Sequence, residues 1–209
     1  MPRFRKIKDW KDFIVTYEGV LPRELCNEIA NETRKLMALN NRIQHGLYTD
    51  INPASESQYF RQLESMCKTL FDPYYEEYRQ SLNLHYGDLL YDSISITYYN
   101  PGTFKRMHID LDFLSDEGDT GYSGPVAASC PVTPAANYNG GQIYFLNQNI
   151  SVKPDAGDLL LFPSSFAYPH EVTDIEGERI CVFPYYKHVA FPHSTKEDTL
   201  DDVRIDENK

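Results

Sequence analysis

Apolar residues recur at helical spacing in the first part of the chain and at strand spacing in the rest. Leu25, Cys26, Ile29, Ala30, Leu36 and Met37 fall on one stripe, and Pro22 before them suits a first helical turn. Asn52-Pro53-Ala54-Ser55 reads as a loop before a second helix, where Phe60, Leu63, Cys67, Leu70, Tyr74, Tyr78 and Leu82 repeat at helical intervals. Pro73 is expected to kink or interrupt that helix, because it offers no backbone N–H. Both stripes are read as core rather than as cofactor contacts. Phe13–Tyr17 reads as a strand. After Gly87 the pattern turns to short strands separated by Gly, Pro and Asn, clearest at Asp92–Tyr99, Gln142–Leu146, Leu159–Phe162 and Arg179–Tyr185.

Helices first and antiparallel strands afterwards predict an α+β, mainly β fold. Its core would be a double-stranded β-helix (jelly roll) supported by N-terminal helices. The expected organisation is a single domain over 1–209, with a helical support region at 1–90, the jelly-roll core at 91–190 and an acidic tail at 191–209. Residues 113–139 read as one long connection, of the kind that serves as a lid or binding loop. No internal repeat is visible.

Composition narrows the partners. The 209 residues are 41% hydrophobic and 13% aromatic, with sixteen Tyr, which fits a globular domain with polar-tipped packing around a cleft. A net charge of -11 argues against nucleic acid as a partner, since nonspecific phosphate binding needs clustered Lys and Arg. A local basic patch such as Lys105-Arg106 could still meet an anionic group. The four cysteines, at 26, 67, 130 and 181, make no CxxC pair and read as reduced, buried thiols. No signal-like apolar run follows the basic residues of MPRFRKIKDW, and no stretch approaches the length needed to cross a bilayer. The expected location is cytoplasmic, without membrane contact.

The segment Tyr98–Asp112 reads YYNPGTFKRMHIDLD, and FAYPHEVTDIEGERICV lies far downstream. On an extended strand His108 and Asp110 share a face, so both can reach one ion while Ile109 points away. With His170 they form a candidate set of two imidazoles and one carboxylate, the facial arrangement of open-site Fe(II) oxygenases. Arg179, nine residues past His170, offers a planar fork for a carboxylate-bearing co-substrate. His45, His85, His188 and His193 lack any partner pattern. Glu171 and Glu178 are expected to face solvent.

Five ordered elements then carry a family resemblance over residues 91–187. They are Tyr99-Asn100-Pro101-Gly102; Gly140-Gly141-Gln142-Ile143-Tyr144-Phe145; Lys153-Pro154 with Gly157-Asp158-Leu159-Leu160-Leu161-Phe162; Pro169-His170-Glu171-Val172; and Gly177-Glu178-Arg179. In this order they resemble the 2-oxoglutarate- and Fe(II)-dependent dioxygenases, within them the prolyl 4-hydroxylase-like group. The resemblance implies that His108, Asp110 and His170 hold Fe(II), and that Arg179 pairs with the far carboxylate of 2-oxoglutarate. Tyr99 would line that pocket, and family spacing favours Asp110 over Asp112 as the ligand. O2 would be consumed, 2-oxoglutarate would yield succinate, and ascorbate is an implied accessory reductant. The chain departs from the pattern at Lys105, where many prolyl hydroxylases carry Tyr, and at Val126–Pro131, where the family usually reads Tyr-Leu-Asn. Ser129 is the hydroxyl there that could assist Arg179.

Three functions remain open at this point. The first is hydroxylation of peptidyl proline, with a peptide or protein as partner. The second is the same chemistry on a free amino acid, a small metabolite or another protein side chain. The third is a jelly-roll binding protein without catalysis.

Overall fold

A computed structural model describes residues 8–39, 48–81, 89–110 and 126–188. Strand β1 (Val15–Tyr17) leads into helix α1 (Arg23–Leu39), then β2 (Tyr48–Ile51) and helix α2 (Gln58–Ser81). The remaining strands are β3 (Leu89–Tyr99), β4 (Lys105–His108), β5 (Val126–Pro131), β6 (Asn139–Gly140), β7 (Ile143–Phe145), β8 (Ile150–Val152), β9 (Leu159–Pro163), β10 (His170–Val172), β11 (Ile175–Glu176) and β12 (Arg179–His188). They form a six-stranded sheet in the order β1-β9-β5-β12-β3-β2, a four-stranded sheet β4-β10-β7-β8, and the small pair β11-β6. Among the described residues every strand pairing is antiparallel. This is the jelly-roll core with helical support that the residue pattern implies.

Strand alternation sorts the six-stranded sheet into two faces. Ile94, Ile96, Tyr98, Ala128, Cys130, Leu159, Leu161, Ile180 and Val182 join one apolar core with Ile29 and Met37 of α1 and Leu63, Phe71 and Tyr78 of α2. Tyr99, Ala127, Leu160, Phe162 and Cys181 point the other way, into a second core shared with Ile143, Phe145 and Val172 of the four-stranded sheet.

Several expectations are corrected in detail. Helix α2 continues through Pro73 as one 24-residue element. Buried Phe71, Tyr75 and Tyr78 anchor it on both sides of the missing hydrogen bond, so packing outweighs the local break. Its buried stripe runs Phe60, Leu63, Cys67, Phe71, Tyr75, Tyr78; Leu70 and Tyr74 sit at its margin. The presumed connection 113–139 contains a strand, β5, near the middle of the six-stranded sheet. Its residues Val-Ala-Ala-Ser-Cys-Pro are buried on both faces, so it shows no alternation to read. Leu82, Asp112, the histidines at 45, 85 and 193, and the acidic tail lie outside the described residues. All four cysteines are free and buried, as expected.

Candidate active site

Strands β4 and β10 run antiparallel with His108 opposite His170, which sets the two imidazole centroids 4.3 Å apart. Strand β4 ends at His108, and Asp110 follows in a bend rather than on a continuing strand. It still converges with the two rings. One carboxylate oxygen lies 3.5 Å from His108 Nε2, and the other lies 3.5 Å from His170 Nε2. The three ligating atoms all fall within 4.8 Å of one another, a spread suited to a single ion.

The ring orientations have a local cause. His108 Nδ1 is 2.7 Å from the Arg106 carbonyl, and His170 Nδ1 is 3.1 Å from the Tyr168 carbonyl. A carbonyl oxygen only accepts, so each Nδ1 carries the proton and each Nε2 presents its lone pair toward Asp110. Phe162 meets the His170 ring edge-on at 4.8 Å, and Phe145 lies against it at 5.6 Å. Burial among these rings pushes the His170 pKa down, with Asp110 opposing that shift, which keeps the ring neutral and able to ligate. Burial works against the Asp110 charge, but His108, His170 and Lys105 together hold its carboxyl below the usual range.

Arg179 opens β12, directly opposite Tyr99 on β3. Its side chain is 1% exposed, with the guanidinium carbon 5.0 Å from the Tyr99 ring centre. Its Nε and Nη1 find no hydrogen-bond partner among the described residues. Among the described residues, a side-chain hydrogen bond with Tyr138 accompanies the guanidinium. A buried cation left in this state is costly unless an anion completes it.

The triad and the cation open into one cleft of about 620 Å³, mouth included. Its wall also includes Tyr99, Lys105, Ser129, Phe183, Tyr185 and Asp50. The structure therefore brings together His108, Asp110, His170, Arg179 and Tyr99 as the sequence implied. Ser129 lines the same cleft, but its hydroxyl points at the Cys181 thiol, 4.0 Å away.

Two residues at the site escaped sequence reasoning. Tyr138 lies in the stretch read as a connection, and Asp50, bonded to the Thr97 hydroxyl, lies on the unforeseen strand β2. Only the Gly140-Gly141 turn hinted at Tyr138: a Cβ on Gly141 would come within 2.9 Å of its ring. The solvent-facing expectation fails for Glu178, which bonds both Arg34 and Tyr98. Glu171 is partly buried on β10.

Residues 94–187 match the family described as the 2OG-Fe(II) oxygenase superfamily. That segment is a 2OG-Fe(II) oxygenase domain. Fe(II) and 2-oxoglutarate are thus the metal and co-substrate of its chemistry, and the site just described has the donor set and the buried cation to fit both. No curated protein matches the chain. Among solved structures, a viral collagen prolyl hydroxylase from Paramecium Bursaria Chlorella virus-1 in complex with 2OG aligns at 15% identity and TM-score 0.62, covering 85% of this chain and 97% of its own. A Pseudomonas putida prolyl-4-hydroxylase aligns at 22% identity and TM-score 0.57, covering 85% and 94%. A Trichoplax adhaerens prolyl hydroxylase, solved with a peptide fragment of the hypoxia inducible factor oxygen degradation domain, aligns at 17% identity and TM-score 0.64, covering 84% of each chain. These likenesses show a shared fold. No helix among the described residues of the oxygenase is long and apolar enough to cross a membrane.

Proposed function

We propose that the oxygenase hydroxylates a prolyl residue of a peptide, with His108, Asp110 and His170 holding Fe(II) and Arg179 binding the distal carboxylate of 2-oxoglutarate. The carrying observation is the juxtaposition of a three-ligand site with a fully buried guanidinium in one cleft, two of whose nitrogens lack partners among the described residues. A closed structural metal site would normally supply four ligands, and a plain binding cleft has no use for an uncompensated buried cation.

When bound, Fe(II) with 2-oxoglutarate and O2 supplies the oxidant that turns a substrate C–H into C–OH, while the co-substrate is split into succinate and CO2. The chain's own residues prepare for that chemistry. The Arg106 and Tyr168 carbonyls fix the imidazole tautomers and aim both Nε2 atoms inward. Phe145 and Phe162 keep water from His170. Arg179 meets a carboxylate in a dry setting, where a charge-assisted, bidentate pair is strong. Tyr99 braces the guanidinium from its ring face.

A prolyl substrate is supported by the Tyr99-Asn100-Pro101-Gly102 approach and by the fold shared with three prolyl hydroxylases, one of them solved with a peptide. The test is succinate release from 2-oxoglutarate with Fe(II), ascorbate and O2, with and without proline-rich peptides. Stimulation by a peptide, with gain of one oxygen atom on its proline, is the expected result. Turnover that no proline peptide stimulates, but that a free amino acid or metabolite does, would overturn the prolyl assignment.

A further inference from the structure

We propose that Glu178 is a positioning residue for Arg179, and that its cluster with Arg34 and Tyr98 couples co-substrate affinity to the docking of helix α1. The proposal rests on the assignment of Arg179 to 2-oxoglutarate. Both oxygens of the Glu178 carboxylate are engaged. Arg34 of α1 donates from Nε to Oε1 at 2.8 Å, with Nη2 at 2.7 Å from the same oxygen, and the Tyr98 hydroxyl donates to Oε2 at 2.7 Å. Arg34 is itself steadied by Asn31, whose Oδ1 accepts from Nη1 at 3.0 Å.

The geometry links this cluster to the cavity on the other side of the sheet. Arg179 pairs with Tyr99 and Ile180 pairs with Tyr98 in the β12–β3 ladder. Successive residues of a strand face opposite ways, so the ladder carries Tyr98 on the helix face and the Tyr99–Arg179 stack on the cavity face. Glu178 immediately precedes Arg179 and is held on the helix side by Arg34 and Tyr98. A small shift of Glu178 must therefore move the backbone that aims the guanidinium.

The other restraints on the approach to β12 are mainly backbone ones: Ile175 and Glu176 pair with Gly140 and Asn139, and the Ile180 N–H donates to the Thr133 hydroxyl at 3.0 Å. Gly177, at φ 112°, precedes Glu178, and a Cβ there would crowd Asn137 O and Tyr138 Cβ, each at 3.1 Å. A residue without a side chain lets the backbone turn, but it cannot hold it there. Arg179 is the first residue of its strand, and on the cavity face the Tyr99 ring, Tyr138 and Cys181 accompany its side chain. The outer cluster is a set of charged, directional side-chain contacts on the residue next to it, and one of its members stands on α1.

The experiment measures 2-oxoglutarate binding by calorimetry with Mn(II) in place of Fe(II), alongside succinate kinetics with Fe(II). It compares wild type, Glu178→Gln, Tyr98→Phe, Arg34→Lys and the α1 core variant Ile29→Val. Expected for Glu178→Gln is a rise of roughly tenfold in both Kd and KM for 2-oxoglutarate, the low end of what outer partners of a binding group contribute. Its kcat at saturating co-substrate should stay unchanged. Tyr98→Phe should shift affinity the same way by less, and Arg34→Lys should retain most of it. Ile29→Val, buried in the helix-side core, should lower Tm without moving Kd. A Glu178→Gln protein with lowered Tm but wild-type affinity would overturn the positioning role and leave a purely structural ion pair. Absence of 2-oxoglutarate binding in the wild type would instead overturn the co-substrate assignment itself, and the proposal with it.

Discussion

The two faces of the six-stranded sheet are built from the same strands and do opposite things. Toward the helices, Ile94, Ile96, Ile180 and Val182 meet Ile29, Met37, Leu63 and Phe71 in a dry apolar core. The charge at its edge, Glu178, is fully paired. Toward the cavity, one residue away along each strand, stand Thr97, Tyr99, Ser129 and Arg179, and there two of the guanidinium nitrogens have no hydrogen-bond partner among the described residues. Apolar burial stabilises by about 25 cal/mol per Å² removed from water, whereas an uncompensated buried ion costs several kcal/mol. On the proposed assignment of Arg179, the helix face supplies stability that the cavity face gives up in order to bind an anion.

Substitutions should separate the two roles. The largest effect is expected for His170→Ala, which should reduce succinate formation to the metal-free background while the circular dichroism spectrum stays native. If that variant kept turnover, the triad assignment would be wrong. Next is Arg179→Met, which should weaken 2-oxoglutarate binding by about 2–5 kcal/mol, the scale for removing one partner of a buried charge pair. The same change should raise Tm in the absence of co-substrate, because an unpaired buried charge disappears. A lowered Tm would mean that the guanidinium is already compensated within the protein.

On the opposite face, Leu161→Ala should cost about 2–5 kcal/mol in urea unfolding and leave 2-oxoglutarate affinity alone. A matching loss of affinity would show that the faces are not separable. The smallest effect concerns acid. Arg23, together with the Ala135 and Ala156 amides, pulls the Asp155 pKa from 3.8 to about 2. A carboxyl whose folded pKa lies below its unfolded one binds more protons when unfolded. Its contribution is therefore complete above pH 3.8 and fades as pH falls toward 2. Asp155→Ala should flatten that part of the stability–pH curve without changing its slope near neutrality.

The helix-side core was largely legible in the sequence, because periodicity survives wherever one face is buried. The stripes of α1 and most of α2 follow from spacing alone, although the true line passes through Phe71 and Tyr75 rather than Leu70 and Tyr74. The triad and Arg179 were legible because strand pairing brings an HxD segment, a later His and a following Arg to one cavity. Strand β5 was not, since six consecutive buried residues carry no alternation. Glu178 was misjudged because its partner Arg34 lies 144 positions away, and Asp50 and Tyr138 reach the site only through tertiary folding.

The most direct test of the division between faces is a calorimetric titration of 2-oxoglutarate into the protein loaded with Mn(II), for wild type and Arg179→Met. Stoichiometric, metal-dependent binding that collapses in the variant is the predicted result. Equal binding by both proteins, or none by the wild type, would contradict the assignment of the cavity face to 2-oxoglutarate.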